Sequence, residues 1–278
     1  MYLELTDISK KIGADEVLSG ITLSMERGKV YGLQGKNGCG KSMLMRVICG
    51  LVLPTVGEVK IDGKILGKEF SFPPSVGVFI EKPGFLDSYS GFQNLMMLAS
   101  IKGQISGAEV KDVLKRVGLQ DVMYKKYRKY SLGMKQKLGI AAAIMEKPEL
   151  IILDEPSNAL DEKSEGTLWQ IVREEKERRA LILISCHTTE TLEKEVPITY
   201  LSLETTDVGT AISQELLMGN LEHYSSMVEK LEPREEKVVM YPYEICSIWF
   251  HKKDWKNIEM RSFWMTFSSY PDKIVLYL

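Results

Sequence analysis

The stretch Gly35-Lys36-Asn37-Gly38-Cys39-Gly40-Lys41-Ser42 reads Gly-x-x-x-x-Gly-Lys-Ser. It follows the apolar, strand-like run Val30-Tyr31-Gly32-Leu33 and opens a helix-like run from Met43 to Ile48. Strand, glycine loop, Lys-Ser and helix in that order specify a phosphate-binding P-loop. Glycines let the backbone curl around a phosphate with its N–H groups inward, and the helix aims its positive end at the same anion. Lys41 supplies a point charge for the β- and γ-phosphates of a nucleotide, and the Ser42 hydroxyl a ligand for Mg²⁺. All eight residues, Gly35 to Ser42, are therefore nucleotide-binding candidates.

Apolar residues make up 44% of the 278-residue chain, enough for one large domain with an appendage. The net charge of -2 gives no global field for nucleic acid, so no nucleic-acid partner is expected. Cys39, Cys49, Cys186 and Cys246 form no C-x-x-C pair, which points away from zinc and from a disulfide framework and toward a reducing cytoplasm. No secretory leader and no run of about 18 uncharged apolar residues is present, so a bilayer-spanning helix is not expected.

Residues 2 to 30 alternate apolar and polar positions and predict antiparallel strands. A short strand closed by Asp62-Gly63 follows the P-loop helix, and Val76 to Ile80 reads as a buried strand. From Phe92 to Gly133 the period is helical, so a helical subdomain is predicted as an insertion. Lys137 to Met145 reads as an apolar helix, and Ser131-Leu132-Gly133 by itself as a helix start with an N-cap serine. Leu150-Ile151-Ile152-Leu153 and Leu181 to Ser185 read as buried parallel strands delivering Asp154-Glu155 and His187 at their carboxyl ends. Two carboxylates closing an apolar strand are costly to place there without a role. Asp154 is expected to hold Mg²⁺ through water, and Glu155 to orient and deprotonate the attacking water.

Taken together, these segments resemble the ATP-binding cassette (ABC) ATPases over about residues 1 to 213. Leu150 to Pro156 resembles the family's Walker B strand, Ser157-Asn158-Ala159-Leu160-Asp161 its D-loop, and Ser185 to Glu190 its switch-histidine loop. Tyr130-Ser131-Leu132-Gly133-Met134-Lys135-Gln136-Lys137-Leu138 resembles the cassette signature in a variant form common among bacterial exporter subunits. The resemblance implies an α/β P-loop NTPase fold: a parallel sheet core, an N-terminal antiparallel β subdomain, an inserted helical subdomain at about 82–145, and a small C-terminal accessory segment. It implies an ATPase with ATP and Mg²⁺ as ligands, and His187 in contact with the γ-phosphate and the water. It further implies that Ser131 and Gly133 serve the nucleotide of a second nucleotide-binding domain, in a homo- or heterodimer formed on ATP, and that an integral membrane subunit docks against residues 82 to 130. The expected place is the cytoplasm, peripheral on the inner face of the membrane, and the expected role is export. Two other functions stay open: a soluble ABC ATPase not tied to transport, and a regulatory ATP binder with weak hydrolysis.

The family's pattern is altered at three places. Ile12 stands where an aromatic residue stacks on adenine. Glu81 stands where a glutamine ligates Mg²⁺, keeping an oxygen ligand but adding charge. Tyr130 and Leu132 replace the signature's leucine and first glycine. Cys39 inside the loop, near a helix N-terminus, is expected to be an alkylation target that ATP protects. Beyond residue 213 a helix is expected over 214–232 and a β-rich accessory unit over 237–278, whose core would use Trp249, Trp255 and Trp264; a membrane-interface or nucleic-acid role for those aromatics is the alternative.

Overall fold

The computed structural model describes residues 1–81 and 84–185, together with strands at 198–206, 209–215, 237–240, 265–267 and 274–277. It divides into two units, Met1–Gln214 and Glu215–Leu278.

The alternation near the N-terminus builds β1 (Leu3–Ile12) and β2 (Asp15–Met25), paired antiparallel with Leu3 opposite Met25 and Ile12 opposite Asp15. Their apolar positions Leu3, Leu5, Ile8, Leu18, Ile21, Leu23 and Met25 are buried. The five-residue run β3 (Val30–Gln34) enters the P-loop, and α1 (Lys41–Ile48) leaves it. Next come β4 (Val56–Ile61) and the short β5 (Lys64–Ile65), which complete a four-stranded sheet in the order β2-β1-β4-β5.

A second, parallel core begins with β6 (Val76–Phe79). The helical insert follows as α2 (Gly91–Lys102) and α3 (Gly107–Arg116), each started by a serine capping box at Ser90 and Ser106. A 3-10 turn at Tyr127–Lys129 leads into α4 (Leu132–Ile144). This helix begins five residues before the apolar run starting at Lys137, because the Ser131 hydroxyl caps it and the first turn tolerates Gly133. Then β7 (Leu150–Leu153), α5 (Glu162–Glu177) and β8 (Leu181–Ser185) alternate. With β9 (Ile198–Thr206) and β10 (Gly209–Glu215) they give a six-stranded sheet ordered β10-β9-β3-β8-β7-β6. Strands β7 and β8 are buried at every residue, as continuous apolar runs covered on both faces require. Both are parallel to their neighbours, with Leu153 opposite Ile184 and Phe79 opposite Leu153, so β6, β7 and β8 end at one level.

Helix α4 is seated on this sheet through backbone proximity. A Cβ on Gly77 would lie 1.7 Å from the Ala143 carbonyl oxygen, so only glycine permits the contact. On the other side of the helix start, Gly133 would bring a Cβ to 2.7 Å from the Ala159 carbonyl oxygen. Charged anchoring adds to this: buried Glu175 on α5 receives Arg116 from α3 at 2.8 Å and Arg178 at 2.6 Å.

In the second unit, β11 (Lys237–Met240), β12 (Met265–Phe267) and β13 (Ile274–Tyr277) form an antiparallel sheet ordered β11-β13-β12. Of the expected helix over 214–232, Gln214 and Glu215 are strand instead, as the end of β10, and the rest lies outside the described residues, as do the three C-terminal tryptophans.

Candidate functional site

The loop between β3 and α1 is held open by left-handed glycines, with φ of 81° at Gly38 and 96° at Gly40. A Cβ at Gly38 would meet nothing within 4 Å, so its φ rather than crowding is what calls for glycine there. Of the five α-helices among the described residues, α1 is the one whose N-cap gives no side-chain hydrogen bond: Gly40 stands where the others carry Ser90, Ser106, Ser131 and Asp161. Its first N–H groups are thus left for an external acceptor, which the dipole makes an anion. The Lys41 side chain is buried, and its Nζ donates to the carbonyls of Gly35 at 2.6 Å and Lys36 at 3.2 Å, which draws the charge along the loop.

The carboxyl ends of β7 and β8 meet this loop. The Ser42 hydroxyl donates to Asp154 Oδ2 at 2.6 Å, and the fully buried Ser185 hydroxyl donates to Asp154 Oδ1. Ser185 Oγ in turn accepts the Glu155 N–H at 2.8 Å, so one hydroxyl at the end of β8 positions both acids of β7. Glu155 itself has φ of 48°, a left-handed backbone that costs a non-glycine residue about 1–2 kcal/mol. Several bonds hold that turn. The Asn158 amide donates to Glu155 Oε2 at 2.6 Å, and Gln136 Nε2 donates to the carbonyls of Glu155 at 2.9 Å and Pro156 at 3.2 Å.

The Ser42 hydroxyl and the Asp154 carboxylate form a credible Mg²⁺ site. Adjacent ligands of an octahedral Mg²⁺ at about 2.1 Å stand about 3 Å apart, so a separation of 2.6 Å needs to open by only a few tenths of an ångström. No cluster of three or more His, Cys, Asp or Glu suited to a metal occurs among the described residues. Mg²⁺ takes one or two protein oxygens and fills its remaining positions with water and phosphate.

The remaining sequence candidates are placed as follows. Glu81, at a left-handed φ of 59°, is exposed and gives its carboxylate to Arg46, one turn along α1 from Ser42, so it is not gathered with Ser42 and Asp154. Ile12 ends β1 with half its surface exposed. Ser131 is exposed at the start of α4, accepting the Met134 N–H, and Gly133 follows it against Ala159. Exposed Leu132 and buried Tyr130 flank Ser131, the Tyr130 hydroxyl being tied to the Val122 carbonyl at 2.9 Å. His187 lies outside the described residues. The expected reactivity of Cys39 is corrected: its side chain is 2% exposed within the apolar core beneath the loop, out of reach of an alkylating reagent.

Sequence reasoning gave no role to three residues that the structure brings to the site. Ser185 was visible as the lone polar residue ending an apolar strand. Gln136 lay within the signature-like stretch but was given no role of its own, and Arg46 carried no signal, since it reads as an ordinary polar position of a helix.

Comparison with known proteins adds to this geometry. The ABC transporter family matches residues 18–158. An uncharacterized ABC transporter ATP-binding protein of Bacillus subtilis is 45% identical over 188 residues, which is 68% of this chain and 86% of the relative. The bacitracin transport ATP-binding protein of Enterococcus faecalis is 39% identical over 194 residues, 69% of this chain, and the chain spans 63% of that relative's length. A lantibiotic transport ATP-binding protein of Streptococcus pyogenes is 32% identical over 191 residues, 69% of this chain and 82% of the relative. Among solved structures, the ATP-binding subunit of an ABC transporter superposes with a TM-score of 0.69 at 28% identity, over 82% of this chain and 94% of that one. A dimeric ATP-binding cassette bound to ADP and Pi shares the fold at a TM-score of 0.67 and 22% identity, over 78% of this chain and all of that one.

Proposed function

Because this chain belongs to the ABC transporter family as an ATP-binding, ATP-hydrolysing subunit, we propose that it powers export through a separate membrane subunit, closing on ATP with a second nucleotide-binding domain. The observation that carries the proposal is the convergence of Ser42, Asp154, Ser185 and Glu155 beside the uncapped start of α1. Export is supported by the bacitracin and lantibiotic transport relatives. A membrane partner is supported by the family, and by the finding that no helix among the described residues is long and apolar enough to cross a bilayer. On this reading the protein works from the cytoplasm, peripheral to the inner face of the membrane. Residues 1–213 form the ATPase, and the segment beyond them an accessory unit.

The chain's own groups divide the work. The N–H groups of the loop and of α1, with Lys41, bind the phosphates and neutralise charge that develops on them. Ser42 and Asp154 would hold Mg²⁺, which, when bound, would supply positive charge that polarises the phosphates. Glu155 accepts a proton from the attacking water at its carboxylate, with His187 beside the γ-phosphate. Ser131 and Gly133 donate to the phosphates held by the second domain, Ile12 lies on the adenine side, and Glu81, now paired with Arg46, would add a carboxylate oxygen to the Mg²⁺ ligands. Isolation of the native protein from detergent-solubilised membranes tests the coupling. A polytopic membrane protein should co-purify in stoichiometric amount and stimulate ATP turnover. A protein recovered alone, with turnover indifferent to membranes, would instead mark a soluble ABC ATPase.

A further inference from the structure

From the contacts of Gln136 we infer that this residue of α4 is a positioning residue for Glu155, tying the turn that aims the general base to the helix whose first residues serve the second domain's nucleotide. The inference rests on the reading above, in which Glu155 is the base and Ser131 with Gly133 act in trans.

Four observations support it. First, both partners of the Gln136 side chain are backbone carbonyls, those of Glu155 and Pro156, so only its NH₂ group can face them and its two N–H donors are matched to two acceptors. Second, the backbone being held is left-handed, with φ of 48° at Glu155 and 64° at Ala159, a conformation that persists only when its surroundings over-determine it. Third, the bonds on this turn come from different elements: Asn158 N–H donates to the Glu155 carbonyl at 3.1 Å and the Asn158 amide to the Glu155 carboxylate at 2.6 Å from within the turn, while Ser185 at the end of β8 accepts the Glu155 N–H at 2.8 Å. Gln136 is the side chain of α4 that holds the carbonyls of Glu155 and Pro156, across 19 residues of sequence from Glu155. Fourth, the same stretch of α4 touches the far end of the turn, where Gly133 sits against the Ala159 carbonyl. A displacement of the start of α4 therefore moves the carbonyls on which the direction of the Glu155 side chain depends. Proton transfer to a base needs hydrogen-bond reach of the water, and small misplacements of a positioned group are expensive in rate.

The test uses the full-length chain, with its membrane partner where one co-purifies, and Mg·ATP as the probe of both binding and turnover. Gln136→Leu removes the donors at similar volume. It should lower kcat by about tenfold or more while leaving the ATP dissociation constant within about twofold, a split that marks lost transition-state positioning. Gln136→Arg, which keeps N–H donors, should stay within about threefold of the parent kcat. If Gln136→Leu does not fold, the isosteric Gln136→Glu, whose carboxylate faces two carbonyls without a donor, should show the same split. Glu155→Gln is assayed beside them. Slow Glu155→Gln with unimpaired Gln136→Leu overturns the inference alone, and so does a Gln136→Leu loss that appears equally in affinity and kcat. Full turnover in Glu155→Gln removes the base itself, and both readings fall.

Discussion

Ser42 and Asp154 stand 112 positions apart in sequence, and the hydroxyl of one donates to the carboxylate of the other at 2.6 Å. The contact joins the first turn of α1 to the end of β7, and thus fixes the phosphate-binding loop against the strand that delivers both acids. Asp154→Asn should keep the hydrogen bond from Ser42 yet lose the charge that holds Mg²⁺. The expected outcome is a fall in ATP turnover of about 10²-fold or more, and an ATP affinity that no longer changes when Mg²⁺ is withdrawn with EDTA. Calorimetric titration with and without Mg²⁺ measures this; unaltered Mg²⁺ dependence in the variant contradicts the assignment.

The buried thiols give a second prediction. Cys39 and Cys49 are each 2% exposed, so a bulky thiol reagent should leave both unmodified in the native protein and label both after denaturation. Peptide mapping by mass spectrometry distinguishes them from Cys186 and Cys246. Rapid native labelling of Cys39, blocked by ATP, would restore the reactive cysteine expected from its place in the loop.

Alkaline pH should weaken the fold in a defined window. Burial pushes the Cys49 thiol from 9.0 up to about 12, and burial reinforced by Glu149 pushes the Tyr2 phenol from 10.0 to about 12. Both folded values lie above the unfolded ones, so the native state keeps protons that the unfolded chain gives up. The stability they contribute is fully present below pH 9 and is lost as pH rises toward 12. Urea unfolding between pH 8.5 and 10.5 should show the decline, about 1 kcal/mol per pH unit once the thiol term dominates. Cys49→Ala should flatten it between about pH 9 and 10; an unchanged slope in that variant would refute the origin assigned here.

Glu175 carries the link between the helical insert and the core. Its side chain is 4% exposed and receives Arg116 and Arg178, whose own side chains are 29% and 31% exposed. Glu175→Ala leaves two arginines without their shared partner and should cost about 2–3 kcal/mol, less than a wholly buried pair because water reaches the arginines. Scanning calorimetry should record a drop of about 5–10 °C in the transition containing residues 1–214. A change under 2 °C would mean that Glu175 does not carry this link and that the second ion pair of Arg116, with Glu174 at 2.6 Å, together with packing, is enough to hold α3.

What could be read from the sequence was local. Gly35 to Ser42 and Leu150 to Glu155 declare themselves because each is a contiguous pattern whose residue types are set by one piece of backbone, a phosphate loop or a buried strand end. The strands β7 and β8 are of the same kind. Contacts that close only in three dimensions were not readable. Ser185 could not be assigned to Asp154 before β8 was known to lie beside β7, nor Glu81 to Arg46 before β6 was known to end near α1. Cys39 misled for a related reason: loop position suggested exposure, whereas the left-handed glycines on either side turn its side chain into the core.

The central claim, that Glu155 draws the proton from water at a nucleotide bound by the Lys41 loop, is tested most directly by steady-state ATP turnover of Glu155→Gln measured together with its ATP dissociation constant. The claim predicts turnover lowered by about 10²-fold or more with affinity within about twofold of the parent chain. Turnover equal to the parent's, in a variant shown to be folded and to bind ATP, would contradict it.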